Sequence, residues 1–132
     1  MSAADQLRDA VPFANELGIE LVDATAEMVR ARLEWAPELC TLGGLIHGGV
    51  LMALADNGGG VCAFLNLPEG ATGTATIESK TNFLRAVRGG SVTATTRPLH
   101  KGRKMIVLET ELTRDDGKLV AKVTQTQTYH FG

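Results

Sequence analysis

Residues 42–60, LGGLIHGGVLMALADNGGG, decide how the rest of the chain is read. Gly43-Gly44 marks a loop, and Gly48-Gly49 precedes a helix-like run over residues 50–65. Val50, Leu51, Leu54, Val61, Phe64 and Leu65 lie all round that helix, a pattern that belongs to a buried helix. Asp56 follows an unbroken apolar run, Val50-Leu51-Met52-Ala53-Leu54-Ala55. A charge in such a place is costly unless it is paired or serves a purpose. Gly58, Gly59 and Gly60 come next, and three helical glycines cost on the order of 3 kcal/mol relative to alanine. Close approach of a ligand, or of a covering sheet, is the physical reason for such a run. A ligand there would lie beside Asp56, with Asn57 and Gly58, Gly59 and Gly60 shaping its pocket.

The start of the same helix carries a second signal. The N–H groups of Gly48 and Gly49 have no partner within the helix and sit at its positive end. Such a pair suits a carbonyl oxygen that gains negative charge. Asp56 lies two turns further along, roughly 12 Å by helical rise. One chain therefore separates the two groups, and a second subunit would bring them together. His47 is either a hydrogen-bond partner that fixes the loop or a base.

Outward from this stretch, residues 3–17 read as a short amphipathic helix, with Leu7, Val11 and Ala14 at helical spacing and Gly18 as the stop. Pro12 is expected to shorten or kink it. Residues 19–22 and 28–35 read as strands. In the second, Val29, Ala31, Leu33 and Trp35 alternate with Arg30, Arg32 and Glu34, the mark of a half-exposed antiparallel strand. After Pro68 and Gly70, residues 75–84, 91–98, 104–114 and 118–129 are rich in Thr and Val. They are separated by Gly89-Gly90, Lys101-Gly102 and Asp116-Gly117, and Asp-Gly between two β runs is a strong hairpin signal. The expected order is helix, strand pair, buried helix and four-strand meander. That is an α+β fold with an antiparallel sheet of about five or six strands wrapped around one long helix. Such a sheet has open edges, so an oligomer is expected.

The chain has 132 residues, enough for one domain spanning 1–132. Its net charge of -2 and its single Trp, single Tyr and four Phe offer little to a nucleic acid. No apolar run is long enough to span a bilayer. Asp5, Arg8 and Asp9 do not fit a signal peptide, so the chain is read as cytoplasmic and away from membranes. Cys40 and Cys62 are read as reduced thiols packed as small apolar groups. His47, His100 and His130 show no ligand spacing, so no metal and no separate cofactor are expected.

HGGVLMALAD, residues 47–56, resembles the helix-start motif of the hotdog-fold acyl-CoA thioesterases, in particular the phenylacetate-degradation type. TIESKTNFLRA, residues 76–86, resembles the strand that follows in that family. Gly102-Arg103-Lys104 and Asp116-Gly117-Lys118 also fit, and the resemblance runs from about Val11 to the end. It implies a hotdog fold, a homodimer or homotetramer with active sites at the subunit interface, and hydrolysis of an acyl-CoA to free acid and CoA. Asp56 takes the place of the acidic residue that acts as nucleophile or as general base. Gly48 matches the residue whose N–H polarises the thioester carbonyl across the dimer, and His47 matches the adjoining histidine. Thr76 falls where a Ser or Thr helps hold the water or the carboxylate. Thr41 stands where many relatives have Asn, a departure that bears on water or substrate positioning.

CoA carries phosphates, so cations are expected near its path. His100, Lys101, Arg103 and Lys104 form one basic turn, and Arg85 and Arg88 a second. The resemblance favours Arg85, Arg103 and Lys104. Two other readings start from the same fold: an acyl-thioester dehydratase or hydratase, and a non-catalytic module that binds acyl-CoA or another small ligand.

Overall fold

The computed structural model describes residues 3–132. The expected N-terminal helix is two, α1 (Ala3–Leu7) and α2 (Pro12–Leu17). Pro12 explains the break: without an N–H it cannot continue a helix, but it fits the first helical position, where that group has no partner anyway. Gly18 ends α2 at φ 77° and donates its N–H to the carbonyls of Ala14 and Asn15.

Six strands make one antiparallel sheet: β1 (Glu20–Ala24), β2 (Val29–Glu34), β3 (Ala71–Phe83), β4 (Ser91–Lys101), β5 (Met105–Arg114) and β6 (Leu119–Phe131). Their spatial order is β1-β2-β4-β5-β6-β3. The expected four-strand meander is therefore three strands, β4-β5-β6. The fourth, β3, crosses to the far edge and pairs with β6, from Ala71 opposite Phe131 to Phe83 opposite Ala121. Hairpin signals describe neighbours in sequence, and the β3–β4 connection is not a hairpin. It crosses the end of the sheet, pinned by buried Val87, whose carbonyl accepts the Ile46 N–H.

The long helix α3 (Gly48–Phe64) lies against the sheet and touches all six strands. Its sheet-facing residues, among them Leu51, Leu54, Ala55 and Val61, meet Val29, Ala31, Leu33, Ile106, Leu108 and Leu112 in the core. The strand alternation read from residues 28–35 holds, with Val29, Ala31 and Leu33 buried and Arg30 and Arg32 half-exposed. This is the wrapped sheet and central helix that the hotdog resemblance implies.

The helix is not buried all round. Met52, Asp56 and Phe64 are exposed and Gly48 and Gly60 half-exposed, a stripe repeating every four residues. That stripe borders the edge strand β3, on which Thr76, Ile77 and Glu78 are exposed.

Candidate active site

The site begins at the loop before α3. Gly43 and Gly44 adopt φ of 79° and 74°, which ordinary L-residues avoid. They return the chain so that the Thr41 N–H reaches the Leu45 carbonyl at 2.8 Å. The His47 N–H then bonds the Leu39 carbonyl at 2.9 Å, and His47 becomes the N-cap of α3. Its Nδ1 accepts the Gly49 N–H at 2.8 Å. That bond corrects one expectation, because the Gly49 amide is already taken and is not free for an oxyanion. The Gly48 N–H makes no hydrogen bond among the described residues and remains the available donor. Nδ1 must be unprotonated to accept, which gives His47 the loop-fixing role in this geometry.

Gly48 opens onto a cleft of about 350 Å³ shared with Thr41, Leu45, Phe83 and Arg85. A Cβ on Gly48 would meet the Phe83 ring at 3.2 Å, so glycine lets the ring lie over the helix start. Arg85 is held by its Nη1, which donates to the Leu119 carbonyl at 2.9 Å. Arg103 and Lys104 are elsewhere. Arg85 lies beside Val120 of β6, whereas the Lys104 carbonyl meets the Tyr129 N–H. Nine residues of strand, roughly 30 Å at about 3.3 Å per residue, separate these points. The three cations expected along one CoA path therefore sit at opposite ends of the sheet.

Asp56 is exposed, not buried as the apolar run around it suggests. Thr76 of β3 donates its hydroxyl to Asp56 Oδ1 at 3.3 Å, so the structure joins the two residues that the resemblance put in one site. Two depressions flank the carboxylate. A small one lies between α2 and α3, lined by Val11, Phe13, Ala14, Ile19, Ala53 and Asn57. A larger one of about 370 Å³ is walled by Leu7, Val11, Val61, Phe64, Gly60 and Asn57. Apolar walls around one carboxylate suit a mainly apolar ligand with a polar end at Asp56.

The glycine run divides into two jobs. Gly58 and Gly59 are buried and face the sheet. A Cβ on Gly58 would come within 2.8 Å of Thr96 Oγ1, and one on Gly59 would overlap the Gln125 amide. These two do not line the groove, and close sheet packing is what requires them. Gly60 has open space where a Cβ would stand and lines the larger groove beside Asn57.

Sequence reasoning passed over the residues beneath that packing. Gln125 Nε2 donates to the Ala55 carbonyl at 3.3 Å, and Gln127 Nε2 donates to Gln125 Oε1 and to Thr76 Oγ1, both at 2.7 Å. Gln125 and Gln127 are buried on the core face of β6, alternating with Thr124, Thr126 and Thr128. Two amides on the apolar side of a period-two pattern were the available signal. The N-terminal wall of Leu7, Val11 and Phe13 was also passed over.

Neither cysteine is placed as a nucleophile. Burial pushes the Cys62 thiol up to about 11, and the Cys40 Sγ points at the Ala36 carbonyl, 3.4 Å away. Among the described residues no group of three or more His, Cys, Asp or Glu converges to hold a metal ion. No helix among them is long and apolar enough to cross a membrane.

Comparison with known proteins fits this geometry. A model of the Thioesterase superfamily matches residues 43–121, which include the loop, α3, β3 and most of the meander. The chain is 32% identical over 118 residues to a Mycobacterium tuberculosis protein named "Putative esterase Rv1847", covering 88% of this chain and 84% of that one. Its fold superposes on thioesterase PA1618 of Pseudomonas aeruginosa with a TM-score of 0.92 at 27% identity, covering 100% of this chain and 96% of that one. Thioesterase HI1161 of Haemophilus influenzae gives 0.91 at 26% identity, covering 99% and 92%. The fold is the hotdog fold, and the chain belongs to the thioesterase superfamily.

Proposed function

We propose that the protein hydrolyses acyl-CoA thioesters at sites shared between two protomers, with Asp56 as the reacting carboxylate. One observation carries this reading: the Thr76-bound Asp56 carboxylate and the unpartnered Gly48 N–H lie on one exposed stripe of α3. They are eight residues apart, about 12 Å by helical rise. A thioester carbonyl cannot touch both groups in one protomer. Two antiparallel copies of α3, with their two-fold axis near Met52, would set the Gly48 of each beside the Asp56 of the other. Met52 is midway between the two and 40% exposed. Pairing along the free edge of β3 would close the sheet edge as well.

In that arrangement the carbonyl oxygen accepts from Gly48 N–H, which stabilises the charge that develops as the carbonyl carbon becomes tetrahedral. Asp56 Oδ1 is engaged by Thr76, leaving Oδ2 for the reaction. It either takes a proton from water as the water adds, or adds to the carbon itself to give an anhydride that water then opens. In both routes the C–S bond breaks, and CoA thiol and free acid leave. The acyl group lies in the apolar groove under Val11 and Phe64, and Arg85 stands at the Gly48 cleft for a CoA phosphate.

The test is thiol release across a panel of acyl-CoAs by wild type and Asp56→Asn. Loss of a general base or nucleophile should lower kcat roughly 10²- to 10⁴-fold with the fold intact. Retained turnover in the variant would remove Asp56 from the chemistry. A changed acyl chain without thiol release would mean hydratase chemistry, and binding without either would mean a carrier. Label in the Asp56 carboxylate after a single turnover in ¹⁸O-water establishes attack by Asp56, since it enters only when water opens the anhydride at the Asp56 carbonyl.

A further inference from the structure

A chain of four side chains starts inside the core and ends on the reacting carboxylate. Gln125 Nε2 donates to the Ala55 carbonyl at 3.3 Å, which leaves its Oε1 as an acceptor. Gln127 Nε2 donates one hydrogen to that Oε1 and the other to Thr76 Oγ1, each at 2.7 Å. Thr76 meets Asp56 Oδ1 at 3.3 Å. An amide nitrogen donates and does not accept. The Gln127 nitrogen therefore fills an acceptor position on Thr76, and the single Thr76 proton is directed to Asp56. Flipping the Gln127 amide would set its oxygen against Gln125 Oε1, and flipping Gln125 would set oxygen against the Ala55 carbonyl. Only one order of donors satisfies the whole chain.

The cost of building this chain argues for a purpose. Gln125 and Gln127 are 1% and 2% exposed, on a face of β6 whose other buried residues are Ala121, Val123 and Tyr129. Buried amides are destabilising unless every bond is made. Room for Gln125 also requires glycine at position 59, within a helix. Packing alone would be better met by Leu or Val at these strand positions.

We infer that Gln127, anchored by Gln125 on the Ala55 carbonyl, is a positioning residue that fixes the Thr76 hydroxyl as a permanent donor to Asp56. This rests on the proposed hydrolytic role of Asp56. The consequence is one carboxylate rotamer, with Oδ1 occupied and Oδ2 facing the substrate. Gln127 touches no substrate, so it acts on the chemical step and not on binding.

The experiment is a double-mutant cycle on the full protein with an acyl-CoA substrate, using Gln127→Met, Thr76→Val and the pair. Each single change should lower kcat roughly tenfold, the scale of one hydrogen bond to a charged group, with KM unchanged. The pair should lower it no further than Thr76→Val alone. Multiplying effects, or a risen KM with kcat unchanged, overturns the inference. A readout without turnover accompanies it: the side-chain amide signals of Gln127 in a ¹⁵N NMR spectrum. These protons should exchange slowly in wild type and faster in Thr76→Val, a change at an exposed edge-strand position that spares the core. Unaltered exchange overturns the relay even if Gln127→Met does not fold. If wild type releases no thiol from any acyl-CoA, the hydrolytic reading fails, and the NMR result still reports on the relay by itself.

Discussion

His47 Nδ1 accepts the Gly49 N–H at 2.8 Å while the neighbouring Gly48 N–H makes no bond among the described residues. One side chain thereby separates two adjacent amides into a structural one and a free one. The cap fixes the first turn of α3, and the first turn aims Gly48.

This division predicts the behaviour of two substitutions at position 47. His47→Ala removes the cap and should cost about 1 kcal/mol of stability, with a lower kcat because Gly48 loses its fixed direction. His47→Asn supplies another capping oxygen and should recover the stability and most of the activity. Thermal unfolding and thiol-release assays on both variants check this. If Asn restores stability but leaves activity as low as Ala does, His47 acts as a base as well as a cap.

Adjacent glycines should respond in opposite ways. Gly59→Ala drives a methyl into the Gln125 amide and should destabilise by about 1–3 kcal/mol, the usual scale of overpacking. Gly60→Ala meets open space and should leave the stability of the protomer undiminished. Its methyl projects into the groove below Val11 and Phe64, so kcat/KM should fall more for bulky acyl groups than for acetyl-CoA. Urea unfolding measures the first effect and the acyl-CoA panel the second. Equal stability losses would show that Gly60 is packed as tightly as Gly59.

Burial pushes the Cys62 thiol from 9.0 up to about 11. The folded protein keeps it neutral while the unfolded chain ionises it, so its contribution is fully present below pH 9 and lost between pH 9 and 11. Burial raises Tyr129 as well, adding a loss of the same sign at alkaline pH. Cys62→Ala should remove the Cys62 part, giving a shallower fall in the urea midpoint across that window. In the native protein a thiol reagent should modify half-buried Cys40 and reach Cys62 only on unfolding. An unchanged alkaline slope in Cys62→Ala would assign the loss to other groups.

Much of the fold was legible because local rules and burial agree. Val29, Ala31 and Leu33 alternate as a half-covered strand must, and they are buried as that pattern requires. Asp116-Gly117 makes its hairpin, with Gly117 at φ 81°. The place of β3 was not legible. Nothing in residues 71–83 says that their partner is β6, since pairing across a sheet depends on where the intervening elements pack. The exposure of Asp56 was misjudged for a related reason. Residues 50–55 are apolar all round, but Met52 and Asp56 belong to a stripe that the sheet leaves exposed.

The sequence by itself determined the helix start and its cap, the apolar helix with a carboxylate in it, the strand alternation and the family resemblance, because each is written in residues a few positions apart. Tertiary structure decided what only distant segments can decide. It split the glycine run between Thr96 and Gln125 on one side and an open groove on the other. It placed Arg85 and Lys104 at opposite ends of the sheet. It also ran a line of hydrogen bonds from the Ala55 carbonyl through β6 to β3, ending on the carboxylate one residue further along the same helix. Apart from the Gln127–Gln125 bond, those contacts join residues 20 to 70 positions apart, and only packing of the sheet against α3 brings them within reach.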